Sequence, residues 1–232
     1  MTFTPRKVFS QSPQRPPQVV GKTTARRLCS TIYRLRGREV GSTLKVIVLH
    51  GSARTGGDTD TLAEHFVRGL GGESAHEVTH VRPIEMEIAH CRGETCMGCA
   101  SGNGCVVEDD MQTVYPVFRD AEVVVMATPM FWGYMTSQLK TLFDRLEAVV
   151  TPTYFGNKDF VLLIGYRHYY GSMIEWLERI ATGLGSRAHA LACQTYDPET
   201  GRDVPIDRTP ERLREAFALG EDVARRRAGE PS

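Results

Sequence analysis

No apolar stretch of this 232-residue chain approaches the roughly 18 residues of a membrane-spanning helix, which excludes a bilayer segment of that kind. The glycine-rich nucleotide signatures are missing too. Neither G-x-G-x-x-G nor G-x-x-x-x-G-K-[ST] occurs, so dinucleotide and nucleoside triphosphate sites lose their usual support. Net charge is zero, with 28 Lys and Arg against 28 Asp and Glu, but the balance conceals an asymmetry. Residues 1–42 hold nine of the basic residues and one acid, Glu39, which leaves 19 basic and 27 acidic residues to positions 43–232. An acidic body argues against a nucleic-acid-binding domain.

Cysteine is sparse, six in all, yet Cys91, Cys96, Cys99 and Cys105 fall in one 15-residue window with the spacing C-x4-C-x2-C-x5-C. Such crowding favours a metal or redox site in a reducing, cytoplasmic setting over a distributed disulfide framework. Four thiolates can hold zinc or an iron-sulfur cluster, and Cys96 with Cys99 has the pair spacing of metal ligation or dithiol chemistry. Free, merely packed thiols fit the same pattern. Cys29 lies outside this window, and Cys193 is expected to be buried at the end of the last strand.

With 41% apolar residues the chain can bury one substantial core. Residues 1–42 read as a basic extension. Positions 1–21, with four prolines among polar residues, are expected to be disordered, and 22–38 to form a short basic helix with Leu28, Ile32 and Leu35 on one side. A nucleic-acid arm, an anionic-surface contact, a processed targeting segment and an over-extended translation start all fit this tail, and a dispensable tail fits best.

From Thr43 onward apolar runs alternate with helical periodicity. Strands are expected at 44–49, 77–81, 122–127, 159–164 and 189–193, with Thr128 and Pro129 stopping the third. Helices are expected at 59–70, from Asp109 or Asp110 onward, at 134–149, from Gly171 or Ser172 to Thr182, and at 210–227. Five strands alternating with five helices make a parallel, doubly wound α/β sheet. Ligands of such sheets lie beyond the carboxyl ends of the strands, which here directs attention to loops 50–58, 128–135 and 165–172.

The first loop, HGSARTGGD, joins a strand to a helix, so free amides face an anion at the positive helix end. Ser52 and Thr59 offer hydroxyls and Arg54 a charge, which together suit a phosphate monoester. Asp58 is expected to act as the helix N-cap, turned away from that phosphate. In the second loop, Met130, Phe131 and Trp132 offer an apolar wall for a flat ring, although Trp132 also suits a subunit contact. In the third, Arg167 or His168 suits the phosphate or ribose of a second substrate, although a merely structural or exposed role fits His168 at least as well. His50 is read as a local hydrogen-bonding residue beneath the site, and Lys140 with Asp144 as a helix-surface ion pair.

Three blocks, GSARTGGDTDTLAEHF, CMGCASGNGCVVEDDM and TPMFWGYMTSQLKTLFDR, resemble in this order the phosphate loop, the cysteine-bearing connection and the flavin loop of NADPH-dependent FMN reductases in their iron-sulfur flavoprotein-like branch. The resemblance covers about residues 43–195 and implies a flavodoxin-like three-layer sandwich with sheet order 2-1-3-4-5, non-covalent FMN, and a homodimer or homotetramer. It further implies that Ser52, Arg54 and Thr59 bind the FMN phosphate, that Pro129, Met130, Phe131, Trp132 and Gly133 line the isoalloxazine, and that Gly165 lies alongside. The implied activity is electron transfer from NADPH or NADH through FMN to a small acceptor such as a quinone or a flavin. The alternative is an electron-transfer flavoprotein, with or without a metal centre, reduced by a protein partner. Three departures stand out: Asp58 replaces a usual asparagine, Ala53 a frequent proline, and Tyr134 a common serine, where it is expected to narrow access of the second substrate. Gly102 stands where cluster-bearing members have a cysteine, so an iron-sulfur centre would have to recruit Cys91 beside Cys96, Cys99 and Cys105.

Overall fold

The computed structural model describes residues 32–35 as backbone, together with 43–93 and 105–229. Strands β1 (Ile32–Leu35), β2 (Lys45–His50), β3 (Glu77–Val81), β4 (Val123–Pro129), β5 (Asp159–Tyr166) and β6 (Arg187–Gln194) form one sheet in the order β1-β3-β2-β4-β5-β6. The five strands from β2 to β6 are parallel and carry the flavodoxin-like order 2-1-3-4-5 when counted alone. The helix expected over 22–38 is corrected at its described residues. Ile32–Leu35 is instead an edge strand, antiparallel to β3, with Tyr33 opposite His80. Its backbone covers an edge of β3 that would otherwise present unpaired amides and carbonyls.

Helices α1 (Asp58–Leu70), α2 (Met111–Asp120), α3 (Ser137–Leu146), α4 (Met173–Gly183) and α5 (Pro210–Arg227) complete three layers. Successive strand residues point to opposite faces, so each strand feeds two cores. Val46, Val48, Val125 and Leu163 meet Leu62 and Phe66 of α1 and Ala216 and Val223 of α5. Ile47, Leu49, Met126 and Leu162 meet Val114 and Phe118 of α2, Leu139 and Leu142 of α3 and Leu177 of α4. The α1–α5 crossing is close enough to require glycine. A Cβ on Gly69 would lie 1.9 Å from the Phe217 carbonyl oxygen, and one on Gly220 2.2 Å from that of Phe66.

Expected boundaries move at the end of β4 and at both ends of α3. Thr128 and Pro129 do not stop β4, because both stay in register with β5, Pro129 opposite Gly165. The helix expected from Tyr134 begins at Ser137, because residues 131–134 are consumed by a tight turn. At its other end the expected helix gives way after Leu146 to a short 3-10 turn, Glu147–Val149. The expected pair Lys140–Asp144 is present on the exposed side of α3.

At the end of the sheet away from the ligand loops lies a buried ionic knot. Asp159 is 0% exposed and accepts hydrogen bonds from Arg187, His189 and Arg227, which ties α5 and β6 to the start of β5. Beside it the Lys158 ammonium donates to the carbonyls of Arg119 and Ala121, and burial, then the nearby Arg227 charge, pushes its pKa down to about 8.

Candidate functional site

A cleft of about 960 Å³ opens at the carboxyl ends of β2, β4 and β5. All three loops singled out by the sequence contribute: Ser52, Arg54 and Thr59 from the first, Pro129, Met130 and Phe131 from the second, Gly165 and Arg167 from the third.

The first loop is held from below. Gly51 donates its N–H to the Ala127 carbonyl, and its own carbonyl accepts from the Thr136 hydroxyl at 2.7 Å and the Gln138 amide at 2.9 Å. A side chain has no room there, since a Cβ on Gly51 would lie 2.7 Å from Thr128 Oγ1. Ser52 Oγ accepts the Arg54 N–H at 3.0 Å, and Gly56, at φ +69°, makes the left-handed bend that returns the chain to α1. Helix geometry leaves the first-turn amides of α1 without a helical acceptor, and Gly57, Asp58 and Thr59 line the cleft.

Asp58 is corrected. It is not the N-cap, a position held by Gly57, but the first helical residue. Its Oδ1 accepts the backbone N–H of Ile206 at 2.8 Å. The carboxylate is thus engaged by a backbone donor, as electrostatics next to an anion site demands, but the donor lies 148 residues away. That donor belongs to a strap the sequence reading missed. Residues after β6 form the small hairpin β7 (Tyr196–Asp197) and β8 (Arg202–Asp203), and Thr195, Asp203, Pro205, Ile206 and Asp207 wall the cleft. The run Asp197-Pro-Glu-Thr-Gly201 carries turn residues that signal a hairpin, though not its location.

In the second loop, Phe131 and Tyr134 exchange backbone hydrogen bonds of 2.9 and 3.1 Å around Trp132 (φ +54°) and Gly133 (φ +72°). Left-handed backbone at both central residues is the type I′ turn. Pro129, Met130 and Phe131 line the cleft, whereas Trp132 projects fully into solvent and neither it nor Gly133 lines the cavity. Tyr134 does not narrow the cleft. It packs edge-on against Trp176, 6.0 Å between centroids, and faces a separate groove of about 810 Å³ between α3 and α4.

The third loop is braced by the strap. Arg167 makes a two-pronged ion pair with Asp203 at 2.8 and 2.7 Å and lies over the Tyr196 ring, so its guanidinium is already engaged. His168 packs edge-on against the same ring, 4.5 Å between centroids, a structural role. Gly165 forms the floor between the first two loops: its carbonyl accepts the Met130 N–H at 2.9 Å, and a Cβ on it would lie 3.1 Å from the Thr59 methyl.

The cysteine-bearing connection is fastened at its base. Buried Arg145 donates to the Ala89 carbonyl on one side and to Asp109 on the other, and Asp109 accepts the Ala89 N–H at 2.9 Å. Cys91 and Cys105 emerge beside this clasp, Cys91 exposed and Cys105 half-buried, while Cys96 and Cys99 lie outside the described residues. Cys193 is buried at the end of β6, as expected. Among the described residues no three Cys, His, Asp or Glu side chains converge on a metal position, and no helix is long and apolar enough to cross a membrane.

The family model for NADPH-dependent FMN reductases matches residues 44–187. An iron-sulfur flavoprotein of Methanosarcina thermophila is 30% identical over 102 residues, 44% of this chain and 52% of that protein. One from Archaeoglobus fulgidus is 37% identical over 98 residues, 40% and 48% of the two chains. The chain thus spans about half the length of the curated relatives it matches. Among solved structures, an NAD(P)H:quinone oxidoreductase from Methanothermobacter marburgensis superposes with a TM-score of 0.60 at 15% identity, covering 78% of this chain and 98% of the other, a likeness of fold.

Proposed function

The chain belongs to the NADPH-dependent FMN reductase family, and from that premise we propose that it is an FMN-containing oxidoreductase that passes electrons from NADPH or NADH to a small acceptor such as a quinone or a free flavin. The observation that carries this reading is the convergence of a phosphate-type loop, an apolar turn and a glycine floor on one cleft of about 960 Å³, near the top of the usual range for ligand sites.

The residues present fit the cofactor. Ser52 and Thr59 hydroxyls, the Arg54 guanidinium and the α1 amides would hold the phosphate. Pro129, Met130 and Phe131 would line one side of the isoalloxazine, with Gly165 alongside. Trp132 and Gly133 would reach a ring only from the mouth of the cleft. Bound FMN supplies the two-electron chemistry, while the protein orients the ring and keeps water from its buried side. No side-chain acid or base is required of the chain. Anaerobic titration with NADPH and NADH is the test: a yellow protein whose band near ~450 nm bleaches on addition is expected. A colourless protein indifferent to added FMN would refute the reading.

Asp58 provides a sharper check. Asparagine keeps the oxygen that accepts the Ile206 N–H but removes a negative charge from the rim of a dianion site. Asp58→Asn is expected to tighten FMN about three- to tenfold in a fluorescence-quenching titration. Unchanged or weaker binding would mean that the carboxylate is not felt by the phosphate.

One observation favours a second reading, an electron-transfer flavoprotein with a metal centre and a protein reductant. The Arg145–Asp109 clasp brings the two ends of the cysteine connection together, which places Cys91 and Cys105 at the base of one loop. Iron and acid-labile sulfide in the purified protein, lost on Cys96→Ser, would establish it. Within the proposal, residues 43–232 are the FMN-binding domain, residues 1–42 an extension, the assembly a homodimer or homotetramer, and the setting the cytoplasm.

A further inference from the structure

Beneath the first loop runs a chain of polar side chains that flavin contact does not use. Glu73, in the turn after α1 and 40% exposed, has its Oε1 at 3.1 Å from His80 Nε2. His80 Nδ1 lies 2.9 Å from His50 Nε2, and His50 Nδ1 lies 2.7 Å from Asp60 Oδ1. Asp60, 1% exposed, accepts on its other oxygen from Arg82 at 2.7 Å and from the backbone N–H of Gly56 at 2.9 Å. The chain therefore starts at the surface and ends on the loop that forms the anion seat.

Counting protons along it gives a charge. A carboxylate stands at each end and accepts without donating, so the three contacts need three ring N–H groups. Two neutral imidazoles carry two. Filling every contact puts a third proton, and one positive charge, on the histidine pair.

We propose that Asp60 is a positioning residue for the phosphate-binding loop and that the His50–His80 pair, by holding one extra proton, couples binding of a phosphate monoester in that loop to pH. The inference rests on the reading of the loop as the seat of the FMN phosphate.

With the third proton in place, Asp60, Glu73, Arg82 and the pair sum to zero charge. When it leaves for solvent by way of Glu73, the group becomes net negative under a dianion site and one contact of the chain opens. The charged groups around the pair are Asp60 from α1, Glu73 from the following turn and Arg82 after β3, with Arg54 and Asp58 in the loop above. At the sheet edge Tyr33 and Arg34 of β1 stand in register with His80 and Thr79. His76 bonds to Leu70 and Leu44 instead. Burial, and next the charge of His50, push the His80 pKa down against the pull of Glu73. The bound dianion favours the protonated pair, so affinity is highest at low pH and falls as pH rises through its titration.

The experiment is a set of FMN titrations, read by fluorescence quenching, from about pH 5.5 to about pH 8 on the wild type and on His80→Gln and His50→Gln. The phosphate of FMN ionises near pH ~6 and shifts every profile alike. The ratio of variant to wild-type Kd is expected to be about tenfold at the acid end and to approach unity at the alkaline end. Ratios independent of pH, in variants whose circular dichroism matches the wild type, would overturn the coupling. Imidazole nitrogen NMR of the flavin-free wild type near pH ~6 reads the proton count without FMN. Three protonated ring nitrogens in the pair support the inference, and two overturn it even in a protein that binds FMN well. A wild type that ignores FMN at every pH would defeat the functional reading and with it the coupling, whatever the proton count.

Discussion

Replacement of Gly165 by valine is expected to weaken FMN binding by at least about a hundredfold, equivalent to ~2.7 kcal/mol. Gly165 stands where the loop elements meet. Its carbonyl fixes Met130, its Cα faces Thr59, and a Cβ would already lie 3.1 Å from the Thr59 methyl. The two further methyl groups of valine must either displace Thr59 from the first turn of α1 or occupy the cleft. Both outcomes remove a contact proposed for the cofactor. The backbone at Gly165 is ordinary strand in register with Pro129 and Cys193, which suits a β-branched residue. The fold should therefore survive, with a melting temperature within a few degrees of the wild type, while the purified variant is colourless. Gly165→Ala should fall between the two. A valine variant that retains flavin would place the ring elsewhere.

The second large effect concerns stability. Asp159→Asn is expected to cost about 3–5 kcal/mol, because it leaves Arg227 and His189, both nearly buried, facing a neutral amide. That is a large share of the ~5–15 kcal/mol of a typical domain. Burial raises the Asp159 pKa, but hydrogen bonds from Arg187 and His189 and the charge of Arg227 outweigh it and hold the carboxyl well below the usual range. A depressed carboxylate contributes its stability in full above its unfolded pKa of ~3.9 and loses it as pH falls through the folded value. Urea melts of wild type and variant should therefore differ most at neutral pH and converge in acid below about pH 4. FMN affinity of the folded variant should be unchanged, since the knot lies at the opposite end of the sheet. A difference below about 1 kcal/mol at neutral pH would show that the partners find other acceptors.

Much of the architecture was legible because it rests on local pattern. Continuous apolar runs such as Val46–Leu49 and Val123–Ala127 are buried on both faces, and that is how a central parallel strand reads. Thr209-Pro210 opens α5 at the expected residue, since proline suits the first helical turn. The strand-to-helix loop was recognisable for the same reason: Gly51, Gly56 and Gly57 interrupt an apolar run and an amphipathic helix follows.

Arg145 was not legible. It follows the exposed Asp144 in a helix and reads as another surface charge, yet it is buried and clasps residues 89 and 109. Asp60 looks like an ordinary first-turn acid of a helix, yet it is buried and joins His50, Arg82 and the backbone N–H of Gly56. Gly69 and Gly220 lie 151 positions apart and acquire meaning only where two helices cross.

By itself the sequence determined the order of the five parallel strands and the five helices packed on them, the three loops at the carboxyl ends of those strands and, through the resemblance of its motifs, the family to which they belong. The strands, helices and loops follow from burial period and turn chemistry, which act over a few residues. Only the tertiary structure decided the far wall of the cleft, the partner of Asp58, the engagement of Arg167 by Asp203 and the outward direction of Trp132. The reason is one of range. Asp58 reaches Ile206 and Arg167 reaches Asp203 across segments distant in sequence, and a hydrogen bond between distant segments leaves no periodic trace in either of them.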